Sequence, residues 1–373
     1  MRCFSLSANS NFDKPFLTYH AQIKLLRKRG MNIESDYLAT EILKSNGYYN
    51  LINGYKDDFL LPKDSPDDLD EFIQGTELTD LVFQKRVEND LQNILFKYSL
   101  LFEGRLKEAM AHTISQRISV NEKEYLKAKY YRNWKKATNS FDFVRKNILT
   151  TKSNPTYYYR IHHNHVPAWI LLDNTTLGAA RMWLSFFRRP MISYVVWSLL
   201  SIKNRTLKEF AMEYTGIYFP YEKFDEKNVI ESERAFDKSA NDVTERLIEL
   251  VRNMISIVHN FRNNIAHGNR LKQFEASEPL KLNGLRFIVK KDVISNQEFK
   301  SGLGTDDIFS FMLSLTLMLG PFNRSAFLKE LSEWQKINEK DYRMQSQFEK
   351  YFKSLHLPQN FTQRLKSIEA PEA

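Results

Sequence analysis

Apolar residues recur every three to four positions over most of this chain, and that spacing predicts helices almost from end to end. Leu17, Ile23, Leu25 and Leu26 keep it first, with Gly30 placed to end the run. Ser35 can cap a second helix carrying Tyr37, Leu38, Ile42 and Leu43. In NGYYNLINGYKDDFL (46–60), Gly47 and Gly54 bracket Tyr48, Tyr49, Leu51 and Ile52. LPKDSPDDLDE (61–71) holds two prolines, five acids and little that could pack, so it reads as a linker. The span 76–115 predicts one long helix, or two with a kink near Gly104: Leu81, Val87, Leu91, Ile94, Leu95, Tyr98, Leu101, Phe102 and Leu106 hold the period, with charges between them. Shorter helices fit 119–166. VPAWILLDNTTLGAARMWLSFF and ISYVVWSLLSI read as core helices, Pro167 opening the first and Pro190 interrupting the run after it. A helix over 241–267 comes next. GLRFIVKKDVIS (284–295) alternates in part and is the one candidate for a β-hairpin, and helices resume from Asp306. The expected class is all-α or nearly so. It divides into an N-terminal helical region (1–60), an acidic linker (61–75), a helical domain (76–335) and a C-terminal helical tail (336–373).

Composition agrees with that reading. Hydrophobic residues are 42% of the 373 and aromatics 13%, enough for a packed core. With 12 glycines and 11 prolines, tight turns are few, which favours long helices over many short strands. The single cysteine, Cys3, has no internal partner and points to a reducing compartment. The N-terminus lacks the apolar block of a secretory signal, and IFSFMLSLTLMLGPF (308–322) is shorter than the roughly 20 residues that span a bilayer. A cytoplasmic protein without membrane contact is expected.

The net charge of +9 is compatible with a polyanionic partner. Basic residues gather at Lys24, Arg27, Lys28 and Arg29, at Lys127 to Lys136, and at Arg181, Arg188 and Arg189. In KAKYYRNWKK (127–136), Tyr130, Tyr131 and Trp134 either stack on bases while the cations hold phosphates, or form the buried stripe of a helix. Lys127, Lys129, Arg132, Lys135, Arg160, His165 and Arg270 are the candidates for RNA contact.

The chemistry concentrates in FRNNIAHG (261–268). At 100° per residue, Leu247, Leu250, Val251, Met254, Val258, Phe261 and Ile265 share one broad face, and Arg252, Ser256, His259 and Asn263 the other. Asn263 and His267 are neighbours four apart, Arg262 lies at the boundary with a stem long enough to reach toward the imidazole, and Gly268 supplies a stop. A fixed cation beside a group that titrates near neutrality suits RNA transphosphorylation. A base deprotonates the 2′-hydroxyl, the 2′-oxygen attacks phosphorus and the 5′-oxygen leaves. Arginine matches the charge developing on the phosphate oxygens. No metal or cofactor is needed, and DNA, which lacks the nucleophile, is spared. Spacing alone is a weak signal. Arg105/His112, Arg160/His165, Arg252/His259 and Arg262/His267 all fit, where chance allows roughly one or two. The last pair is set apart by the adjacent asparagine, the strongly amphipathic helix and the glycine.

RNNIAHGNRL resembles the RN-x-x-AH signature of HEPN domains. KPFLTYHAQIKLLRKRGMNI followed by LKSNGYYNLINGYKDDF, then RVENDLQNILFKYSLLFEGRLKEAMAH, then PAWILLDNTTLGAARMWLSFF resemble, in order, the Abi-like family of abortive-infection proteins of the AbiD/AbiF type. The likeness covers most of residues 14–330. It implies a HEPN-like helical bundle with an N-terminal helical extension, and phage defence by an RNA-cutting toxin that a small noncoding RNA restrains. It also implies that Arg262 binds the scissile phosphate, that His267 is the general acid/base and that Asn263 orients one of them. HEPN sites usually form where two motif copies meet, so the resemblance implies a homodimer along the polar side of the 241–267 helix. Arg105 and His112 are a possible second motif within the chain, although Leu106 stands where a polar residue is expected. The alternative is a HEPN protein that binds a structured noncoding RNA without cutting it. His162, His163 and His165 could bind zinc, but a loop or an RNA-contacting surface suits them better.

Overall fold

A computed structural model describes residues 16–65, 68–218, 229–272, 274–340 and 345–371. The chain is all-α. Among the described residues, β-structure is limited to two isolated bridges, Asn32 with Glu77 and Leu60 with Phe72. The hairpin expected over 284–295 is absent. Leu282–Leu285 is a short helix followed by turns, because Leu285, Val289 and Val293 are buried at a spacing of four rather than two. The Arg286 guanidinium binds the Ile294 carbonyl (2.7 Å) and Asn296 Oδ1 (2.9 Å), so a side chain does the work a partner strand would do. Among the described residues, no helix is long and apolar enough to cross a membrane.

The chain forms two compact units, residues 1–89 with 338–353, and 90–337 with 354–373. In the first, α1 (Tyr19–Lys28) and α2 (Asp36–Asn46) bury Ile23, Leu26, Ala39 and Leu43 against Leu51, Ile52, Phe59 and Phe72. Ser35 caps α2 as expected, accepting from Leu38 N at 3.2 Å. Tyr37 and Leu38 of that helix are nevertheless exposed. The Tyr49–Asn53 stretch is one wide π-helical turn that points Leu51 and Ile52 inward. The described residues of 61–75 are not a bare spacer. Leu61 N bonds Glu71 O (2.8 Å), Ile73 N bonds Phe59 O (2.8 Å) and Phe72 is buried. The acid Asp70 is held by Lys56 and by Lys63 (2.8 Å), which draws its carboxyl below the ordinary range against the opposing effect of burial. The division between units falls within α3 (Leu78–Arg117), a single unbroken helix of 40 residues with Gly104 inside it.

Helices of the second unit frame the polar residues of interest. These are α4 (Leu177–Ser185), α5 (Arg189–Leu200), α6 (Leu207–Tyr218), α7 (Val229–Ala266) and α8 (Ile308–Met318). Pro190 sits in the first turn of α5, where a missing N–H leaves no bond unmade, so it opens this helix rather than breaking one. The long helix α7 packs against α4, α5, α6 and α8. Its apolar face buries Leu247, Leu250, Val251, Met254, Val258 and Phe261. All eleven residues of α8 are buried. Its hydroxyls avoid being orphaned by turning back on their own helix, Ser314 to Ser310 O (2.7 Å) and Thr316 to Met312 O (2.8 Å). Phe261 stacks on Phe311 with centroids 4.8 Å apart, which anchors the end of α7 to this core.

Candidate functional site: the C-terminal end of α7

The end of α7 is closed by backbone geometry. Gly268 takes a φ of 70°, its N–H bonds Ile265 O (2.9 Å), and Asn269 N–H bonds Asn264 O (3.1 Å). This is a Schellman closure with glycine at the left-handed position, and it makes His267 the last half-helical residue. Asn264 donates to Arg270 O (2.8 Å), and Gln92 of α3 donates to Asn269 O (2.8 Å), so the turn is held from both sides. Only glycine takes that φ without a Cβ penalty. Gly268→Ala should therefore lower the unfolding free energy by about 1–2 kcal/mol, read in a denaturant titration. An unchanged midpoint would show that this turn is not strained by a side chain.

The His267 imidazole is exposed and makes no hydrogen bond or ion pair with another described residue. Arg262 does not swing toward it. Its Nη1 donates to Asn263 Oδ1 (3.1 Å), its Nη2 lies 3.5 Å from Glu103 of α3, and its guanidinium carbon lies 5.9 Å from the Phe96 ring centroid. The physical reason is a nearly buried carboxylate. Glu103 is almost wholly enclosed and paired at 2.7 Å with Lys107, which itself donates to Thr175 O (2.7 Å). A second cation offsets the cost of burying that charge. Asn263 bridges onward. Its carbonyl is taken by Arg262, which turns its amide toward His259 Nε2 (3.1 Å). The His259 ring lies against α4, where a Cβ on Gly178 would come 3.1 Å from Nε2. Burial first, then the charges of Arg181 and Arg262, push the His259 pKa below its ordinary value. One chain therefore presents a row of Arg262, Asn263 and His259 and, just past it, an exposed imidazole.

The remaining candidates are dispersed. Arg105 donates to Ser198 O and Ser201 Oγ (3.0 Å) at the end of α5, where it caps one carbonyl, and His112 stacks on Tyr194 at 4.9 Å. Neither is joined to Arg262. Lys127 and Lys129 both pair with Glu124, whose carboxyl is held at about 2 by hydrogen bonds from Lys127 and Tyr130. Tyr131 is buried and Trp134 exposed, so the aromatic group splits between the two readings, and Lys135 lies over the Trp134 ring. Arg132 Nε donates to Ser185 O (2.7 Å) at the end of α4. Arg160 binds Leu149 O, and His165 Nδ1 contacts Asn164 Oδ1 (2.7 Å). Arg270 is half-buried beside the Gly268 turn. His162 and His163 pack on Tyr158 and Tyr159, and among the described residues no three of His, Cys, Asp or Glu converge on one point. Glu103 and Lys107 were missed in the sequence, although Gln92, Phe96, Glu103 and Lys107 recur at helical spacing and mark the face of α3 turned to the motif.

Fold and geometry together define an all-helical protein whose central helix ends in a rigid, polar, solvent-facing turn. The family model described as Abi-like protein matches residues 41–272, more than half of the chain and all of this turn, and the chain belongs to that family. Membership points to abortive infection, a defence against phage. No curated protein and no solved structure matches it.

Proposed function

We propose that this chain is the toxin of an abortive-infection system, a HEPN-type endoribonuclease that cleaves RNA in the cytoplasm without a metal. The observation that carries the reading is the exposed, unpartnered imidazole of His267, held one helical turn beyond Asn263 on a backbone closed by the Gly268 turn. His267 takes the 2′-hydroxyl proton or returns one to the departing 5′-oxygen. Arg262 binds the non-bridging phosphate oxygens, and Asn263 fixes the guanidinium. Because each chain exposes one imidazole here and its own Arg262 faces Glu103, two copies meeting at the exposed C-terminal end of α7 supply the second set of groups; the rest of its polar side, Ser256 included, is covered within the chain. A small noncoding RNA that covers the same turn would restrain the toxin.

The test is incubation of purified protein with total RNA and tRNA in EDTA. Cleavage is expected, with fragments ending in 2′,3′-cyclic phosphate and with no cut at positions carrying 2′-deoxyribose. Sedimentation should give a dimer. RNA retained but never cut, under conditions that include relief from any copurifying RNA, would replace the nuclease with a non-catalytic RNA binder.

A further inference from the structure

Between α4 and α7 lies a cavity of about 600 Å³ whose lining includes Arg181, Met182, Arg252, Ile255, His259 and Glu278. Its charge balance is unusual. Arg181 is matched by Glu278 at 3.0 Å. Arg252 is half-buried, its Nε is sealed from solvent without a partner, and no described residue bonds or pairs with it. Glu245, the acid whose charge acts on it, is already engaged by Arg189 at 3.3 Å, and Glu278 by Arg181. Arg132, anchored on Ser185 O, adds like charge from nearby rather than relief. An uncompensated guanidinium is costly to bury, and water or an anion must satisfy what the protein leaves open. Met182 and Leu184 of α4 and Ile255 of α7 give the cavity an apolar lining beside Arg252, which suits a ring rather than a bare ion. His259 joins the cavity to the motif, since its Nε2 bonds Asn263 and Asn263 bonds Arg262. Arg252 lies ten residues before Arg262 on the same helix, about 15 Å along its axis.

We propose that this cavity is a nucleotide subsite of the RNA path, with a phosphate on Arg252 and the attached base against Met182 and Ile255. It rests on the RNA-cleaving reading above and extends it: the strand runs from the Gly268 turn back along α7, and the enzyme grips a nucleotide upstream or downstream of the one it cuts. The His259–Asn263–Arg262 chain then makes occupancy of the cavity felt at the guanidinium.

The experiment uses the full chain and three probes, adenosine 5′-monophosphate, uridine 5′-monophosphate and inorganic phosphate, with binding read by calorimetry. Both nucleotides are expected to bind, more tightly than phosphate. Arg252→Gln is expected to weaken them about 10- to 100-fold, the effect of losing a charged hydrogen-bond partner. Met182→Glu, which places an acid at an exposed point of the rim, should do the same without touching Arg252. In the absence of ligand Arg252→Gln should not lower Tm, since it removes an unpaired charge, so poor folding would not mimic the result. On an RNA substrate the loss in Arg252→Gln should fall mainly on KM. Equal affinity in wild type and both variants, or no nucleotide binding at all, overturns the subsite even if RNA is cut. Arg252-dependent nucleotide binding in a protein that never cuts RNA keeps the subsite and removes the nuclease.

Discussion

His267→Ala is expected to reduce RNA cleavage by about 10²- to 10⁴-fold, the usual contribution of a positioned general acid or base. The fold should be almost untouched. The ring is exposed and engages no described residue, and such surface changes usually stay within about 0.5 kcal/mol. The combination makes the result easy to interpret. Cleavage rate, melting temperature and RNA retention in a mobility shift are measured on the same preparation. Lost cleavage with the other two intact supports the acid/base role. A variant that cuts at the wild-type rate removes His267 from the chemistry, whatever the family. Arg262→Lys is the companion, because it keeps the charge but not the fork that matches a phosphate, and it should not restore the rate.

Phe261→Ala should have the largest effect on stability, about 3–5 kcal/mol. The ring is wholly buried, stacked on Phe311 with planes 10° apart and met edge-on by Phe274 at a centroid distance of 4.8 Å. Nothing nearby can collapse into the space, since every residue of α8 is already enclosed. For a unit of this size the melting temperature should fall by roughly 6–20 °C. Phe261→Leu, which leaves most of the volume, should cost much less. Cleavage at low temperature should also fall, because Phe261 is the residue that seats Arg262. If the two variants melt together, the Phe261–Phe311 stack does not hold the end of α7.

The helical class was legible because burial follows the 3.6-residue period wherever one helix face meets the core, as on α7 from Val243 to Met254; from Met254 to Val258 every residue is buried, Ser256 included, because neighbouring helices also cover the side that the spacing marks as polar. The stop at Gly268 was legible for a local reason, since only the left-handed position asks for glycine. Elsewhere the deciding partner lay far along the chain. Arg252/His259 has the look of a chance spacing, and its burial depends on α4, a helix far earlier in the sequence. The stem of Arg262 is long enough to reach toward His267, but Glu103 claims it from α3. In 61–75 the count of acids hid one phenylalanine, Phe72, that packs. In 284–295, alternating letters concealed a four-residue burial rhythm. The Arg105/His112 spacing says nothing of the helix end that Arg105 caps.

The contact between Arg262 and Glu103 measures 3.5 Å, well beyond the roughly 2.7–2.9 Å of a committed guanidinium–carboxylate pair. At that range the carboxylate aims the guanidinium but leaves much of its donor capacity unspent. Glu103 shares its charge with Lys107, so a phosphodiester arriving at Arg262 does not strand a bare anion behind it. The resting cation is thus parked rather than locked. On the proposed reading, an incoming polyanion takes it over with little rearrangement.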